Sequence, residues 1–191
     1  MSAFTDSIRA EFQRYRTLAE RALEQVPEDK LNTPGFPGGN SLAVIVWHVS
    51  GNLRSRFTDF LTDDGEKPWR NRDDEFESRD VSRDVLNDKW QSGWTVLFDA
   101  INALTDEDLH RIVSIRGQSL SVHDALHRSL AHVSYHVGQI VYLAHAHRGD
   151  GWKYLSIPPG GSAAYNAAPR SETPAGHIAM MGGNQGESAK G

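Results

Sequence analysis

The chain has 191 residues, 38% of them hydrophobic and 24% charged, with a formal net charge of −5. That balance belongs to an ordinary globular domain, and without a Lys/Arg-rich run it excludes the clustered basic face a nucleic-acid partner requires. There is no Cys, which excludes disulfides, thiolate ligands and a Cys nucleophile.

The first residues, Met1-Ser-Ala-Phe-Thr-Asp6, open directly into an amphipathic pattern. They lack the basic and apolar regions of a signal peptide, and no apolar run approaches the roughly 18 residues of a membrane span. A cytoplasmic protein with no membrane partner is expected. Phe4, Ile8, Phe12, Tyr15, Ala19, Ala22 and Val26 recur at helical spacing, so residues 3–26 read as the first helix, ended by Pro27. Residues 32–40 are a loop by composition. Ser41 is the expected N-cap of a second helix running to about Leu61, with Leu42, Ile45, Val46, Val49, Leu53, Phe57 and Phe60 on its apolar face.

Residues 62–81 are polar and read as a long crossover loop, with Trp69 and Phe76 as aromatic anchors beside Phe60. The acidic run Asp73-Asp74-Glu75-Phe76-Glu77 reads as a solvated face. A third helix starts at Ser82 and carries Leu86, Trp90, Trp94, Leu97, Ile101 and Leu104. Residues 110–120 suit a small hairpin turning at Gly117. Ser121-Val-His-Asp124 resembles a capping box with Asp in place of Glu, opening a fourth helix to about His147. The fold class is therefore all-α: a four-helix bundle with one long crossover loop, a small hairpin before the last helix and a Gly/Pro-rich C-terminal extension. Residues 1–166 are expected to form the bundle with a packed extension, and 167–191 a largely disordered tail.

The chemistry is in the histidines. His132 and His136 stand four residues apart, on one face of a helix, where both imidazoles can reach one metal ion. A wheel at about 100° per residue sets them about 40° apart, at one edge of the apolar arc. On the second helix His48 and Asn52 hold the same position relative to their own apolar face, which makes His48 the best third ligand. His123 and His127 form another i,i+4 pair on the opposite flank of the fourth helix and cannot serve the same ion. Three neutral imidazoles suit Zn²⁺, Ni²⁺, Co²⁺ or Fe²⁺, and three protein ligands leave an open position, as in catalytic sites. Asn52, Arg56 and Asp59 continue the stripe inward. Asn52 could orient a substrate carbonyl, and Arg56 could hold a carboxylate on a substrate or cofactor. The alternative readings are an internal Arg56–Asp59 ion pair and hydrogen-bonded, half-buried histidines with no metal.

The motifs Trp47-His48-Val-Ser-Gly-Asn52 and His132-Val-Ser-Tyr-His136-Val-Gly-Gln139 resemble those of the DinB-like (DNA-damage-inducible) superfamily of metal-binding four-helix bundles. Trp69-Arg-Asn-Arg-Asp73 and Ser156-Ile-Pro-Pro-Gly160 resemble a narrower, uncharacterised bacterial subfamily. The resemblance covers about residues 3–166. It implies a divalent metal, usually zinc or nickel, on His48, His132 and His136, a homodimer, and kinship with S-transferases that use bacillithiol, mycothiol or glutathione. On that reading the protein is a metal-dependent enzyme that moves a low-molecular-weight thiol onto a small electrophile, with Asn52 and Arg56 as catalytic residues and Arg56 binding the thiol cofactor. The competing readings are a metal-dependent hydrolase that activates water and a non-catalytic metal-binding stress-response protein.

Overall fold

Four apolar stripes and three serine caps produce the four long helices. In the computed structural model, which describes residues 3–183, α1 spans Ala3–Leu23, α2 Leu42–Phe57, α3 Arg83–Asn102 and α4 Val122–Arg148. The hydroxyl oxygens of Ser41, Ser82 and Ser121 accept hydrogen bonds from the backbone N–H three residues on, of Val44, Val85 and Asp124. Each satisfies one of the donors that a helix start leaves open. Asp124 takes the Ser121 hydroxyl at 2.6 Å, so this cap closes through side chains.

Helix α1 packs on α4, and α2 lies between α3 and α4. Phe12, Trp90, Trp94, Leu97, Leu126 and Ile140 fill the centre with at most 2% of their surface exposed. Helices α2 and α3 approach closely: a Cβ on Gly93 would lie 2.8 Å from the Ser50 Cα, and the Ser50 hydroxyl donates to the Lys89 carbonyl at 2.6 Å. The bundle expected from the sequence is thus the observed architecture.

Two helix ends fall earlier than the apolar pattern suggests. Helix α1 stops at Leu23, because Pro27 disfavours helical geometry before it and Gln25 and Val26 tighten into i→i−3 bonds. Helix α2 stops at Phe57: Thr58 is extended, and Asp59 has φ of +49°. That break removes Asp59 from the helical wheel. Phe60 still reaches the core through the turn, while Asp59 is exposed and makes no pair with Arg56.

The hairpin pairs β1 (Ile112–Ile115) antiparallel with β2 (Gln118–Ser121), Ile115 opposite Gln118. Arg116 and Gly117 form its turn, both at positive φ (55° and 71°), the conformation of a two-residue type I′ turn. The crossover loop clamps it from outside. Asp64 accepts from the Ser114 hydroxyl (2.6 Å) and from the backbone N–H of Arg116 and Gly117 (2.8 Å each). These bonds, Ser114 first, hold the Asp64 carboxyl far below its ordinary range.

Beyond α4 the extension folds back. Trp152 stacks on His145 with ring centroids 5.0 Å apart, and Lys153 and Gln25 exchange two hydrogen bonds. A short helix, α5, covers Ser162–Ala167. Within the segment expected to be a largely disordered tail, Pro174–Gly183 instead form helix α6 against α1. The reason is burial: Met181 enters the core, and the buried His177 donates to the Leu155 carbonyl at 2.9 Å. Residues 184–191, the end of the tail expected to be largely disordered, lie outside the described residues. Among the described residues no helix is long and apolar enough to cross a membrane.

Candidate metal centre

The close contact of α2 with α4 brings His48 to the pair on α4. His48 Nε2 lies 3.1 Å from His132 Nε2, and one ligand atom from each of His48, His132 and His136 falls within 4.8 Å of the other two. Two imidazole nitrogens on one tetrahedral Zn²⁺ stand about 3.3 Å apart, at bond lengths near 2.0 Å. The three ring centroids are 4.6–5.2 Å from one another. These three residues could therefore hold a divalent ion.

Hydrogen bonds orient two of the rings. His48 Nδ1 donates to Glu75 Oε2 at 2.9 Å, and His136 Nδ1 donates to Gln139 Oε1 at 2.9 Å. Both bonds place the proton on Nδ1 and leave the Nε2 lone pair facing the cluster, the tautomer that a metal ligand needs. His48 and His132 then turn Nε2 atoms toward each other, and a cation between them satisfies both. The donor set fits a divalent metal.

Glu75 is the residue that sequence reasoning missed. It belongs to the run that reads in sequence as a solvated acidic face. Asp73, Asp74 and Glu77 are exposed as expected, but Glu75 is 5% exposed. Arg70 grips it with two bonds of 2.8 Å from Nε and Nη2, and Arg70's own side chain is 2% exposed. Burial raises the Glu75 carboxyl, but the hydrogen bonds from Arg70 and His48 outweigh it and hold the group below its ordinary range, so it stays ionised. A carboxylate–histidine pair of this kind fixes ring orientation and raises ligand basicity. The available signal was Gly51, three residues after His48 on the same face of α2. A Cβ there would run into the Glu75 carboxylate.

Phe76 lies against the His48 ring at 4.6 Å and Arg72 covers Phe76, so the 3-10 turn Asp73–Phe76 caps the His48 side of the centre. Trp69, expected as an anchor, is 52% exposed with Arg54 over its ring.

Of the other predicted residues, Asn52 and Arg56 line a cavity of about 250 Å³ that has His132 in its wall. Arg56 is engaged: Nη1 donates to the Gly65 carbonyl and pairs with Glu66 Oε2 at 3.0 Å. Arg116 (3.1 Å) and Arg70 (3.6 Å) reach the same Glu66 oxygen. The second pair, His123 and His127, packs against Phe4, one ring tilted and one edge-on, away from the cluster. His147 contacts the Thr33 carbonyl, and His177 that of Leu155.

A family model described as a protein of unknown function, DUF1572, matches residues 1–161. The chain belongs to this family. DUF1572 is a DinB-like family. No curated protein and no solved structure matches the chain.

The electrostatics of this DUF1572 centre favour neutral imidazoles. Burial pushes His132 down to about 3, with His136, His48 and the guanidinium groups of Arg70 and Arg56 adding to the effect. Burial likewise lowers His136, against a partial offset from Gln139. Between an ordinary value near 6.5 and these lowered values, the unfolded chain binds protons that the folded chain does not. Stability of the metal-free protein is therefore expected to be level above about pH 6.5 and to fall progressively toward pH 3. Glu75, also lowered, adds to the loss below its ordinary pKa. Urea midpoints at pH 7.5 and pH 5 check this, and an unchanged or higher midpoint at pH 5 contradicts it.

Proposed function

We propose that this protein is a divalent-metal-dependent enzyme that transfers a low-molecular-weight thiol onto a small electrophilic substrate. The observation that carries the reading is the convergence of His48, His132 and His136, oriented by Glu75 and Gln139, at the wall of a cavity large enough for a small molecule. Three protein ligands leave room for an exogenous one, and a chain without Cys takes its thiol from outside. A bound divalent ion would supply a Lewis acid that lowers the pKa of a thiol at its open position.

The chain's own residues do the rest. Neutral His132 and His136 present lone pairs at neutral pH, and Glu75 keeps His48 in the matching tautomer. Asn52, 8% exposed and without a hydrogen-bond partner among the described residues, is assigned to orient the electrophile's polar group. Arg56, held by Glu66 and the Gly65 carbonyl, shapes the cavity wall and adds positive potential. Phe57 and Phe60 keep the cavity floor apolar.

The test is turnover of a model electrophile such as 1-chloro-2,4-dinitrobenzene with glutathione, mycothiol or bacillithiol, using zinc- and nickel-loaded protein. Metal- and thiol-dependent product formation that His48→Ala abolishes supports the reading. Ester or amide cleavage without thiol replaces it with the hydrolase, and no rate above the metal-free protein with any of these substrates removes the enzymatic reading.

A further inference from the structure

The cavity beside His132 holds polar groups that the protein itself does not use. Ser129 lies three residues before His132 on α4. It is 7% exposed, its hydroxyl oxygen is buried, and it has no hydrogen-bond partner among the described residues. Asn52, from α2 on the facing side, is 8% exposed, lines the same cavity and makes no hydrogen bond among the described residues. Leaving a buried hydroxyl without a partner is costly, so the Ser129 oxygen, with the Asn52 amide on the same cavity, calls for a polar ligand. The centre already described uses neither side chain as a ligand or as a ring-orienting partner.

Charge specifies that ligand further. Around the cavity the arginines on the α2 side are matched. Arg56, Arg70 and Arg116 are held by Glu66 and Glu75, while Asp64 adds a third carboxylate at the hairpin turn. Arg128, one turn before His132 on α4, is different. It lines the same cavity, is exposed, and makes no ion pair, hydrogen bond or ring contact among the described residues. One unmatched guanidinium accommodates one negative charge, and its planar fork fits a carboxylate. The rest of the lining is apolar: Phe57, Phe60, Ile115 and Ala125.

We propose that this cavity binds a small monocarboxylate with an apolar body, its carboxylate on Arg128 and Ser129, its polar reacting end on Asn52 beside His132, as the acceptor substrate of the site. The inference rests on the metal-dependent reading for what happens to the ligand, since binding alone involves only protein groups. The apolar floor favours an acceptor over a low-molecular-weight thiol, whose body is polar throughout. About 250 Å³ is below the usual range of drug-sized pockets, which limits the ligand to a short chain.

The experiment is calorimetric titration of the zinc-loaded full chain with three six-carbon probes: hexanoate, hexan-1-ol and hexyl phosphate. Hexanoate is expected to bind at least about tenfold tighter than hexanol, and Arg128→Gln to erase that preference, as loss of one charged hydrogen bond does. Ser129→Val, which keeps the side chain's volume, should weaken hexanoate in the same direction. Equal binding of hexanoate and hexanol, no binding of any probe, an unaltered preference in Arg128→Gln, or hexyl phosphate binding tenfold tighter than hexanoate overturns the proposal. A zinc titration of wild type and Arg128→Gln separates the two readings. Intact zinc binding without carboxylate preference sinks this inference alone. Carboxylate preference in a chain that binds no zinc sinks the metal-dependent reading and leaves the cavity assignment standing.

Discussion

Replacing His132 with alanine is expected to abolish stoichiometric binding of a divalent ion, lowering affinity by more than about 100-fold. The magnitude follows from comparison with outer groups, whose loss from metal sites typically costs 10- to 100-fold; removing a ligand itself exceeds that. His48→Ala and His136→Ala should behave alike, because the three imidazoles converge and no other His or acidic side chain among the described residues joins their cluster. His123→Ala is the internal control. It removes an imidazole from the same helix and the same i,i+4 spacing, but that ring packs against Phe4 and His127 and not on the centre. Elemental analysis of metal-loaded, desalted protein reads the result directly, and thermal unfolding gives an independent measure. At a free metal concentration 1,000 times Kd the ion stabilises the folded state by about 4 kcal/mol, which His132→Ala should lose. Full metal occupancy in His132→Ala, or its loss in His123→Ala, would mean that the site lies elsewhere.

Removing the carboxylate of Glu75 should have the second large effect, on stability and metal affinity together. Glu75→Ala strips the Arg70 guanidinium, its side chain 2% exposed, of both its 2.8 Å bonds and leaves it only Glu66 at 3.6 Å, and breaking a buried ion pair from one side costs about 3–5 kcal/mol. It also removes the acceptor that holds His48 in its ligand tautomer, which should weaken the metal by about 10- to 100-fold. Since total stability of a domain is of order 5–15 kcal/mol, this variant can fail to fold. Glu75→Gln covers that outcome: it keeps an acceptor for His48 while dropping the charge, so metal affinity should fall less than stability. Gly51→Ala approaches the same group from α2, where the added methyl displaces the Glu75 carboxylate. Urea unfolding of the metal-free variants and metal titrations provide the two readouts. Metal affinity within about twofold of wild type in both Glu75→Gln and Gly51→Ala would show that His48 needs no carboxylate behind it.

Both predictions turn on a division that runs through the molecule. Features that repeat or are local can be read from the chain alone. The apolar spacing gives four helices, Ser41, Ser82 and Ser121 cap three of them, and Arg116-Gly117 makes a tight turn, because each depends on residues a few positions apart. The same short range placed His132 with His136 on one face and made His48 the matching residue on a second helix. Which neighbours these side chains meet is set by the packing of the helices, the hairpin and the crossover loop. Glu75 sits in a loop with no period, 27 residues from His48, and nothing in Asp73-Asp74-Glu75-Phe76-Glu77 separates the one buried carboxylate from its exposed neighbours. Arg56 was legible as inward-facing, but its partner was not. Helix α2 ends at Phe57, so Asp59 swings away, and the crossover loop delivers Glu66 in its place. Ser129 and Arg128 carried no sequence signal at all, since an unpartnered hydroxyl or guanidinium is defined by what fails to approach it, and that is set only when the helices, the hairpin and the loop close around the cavity.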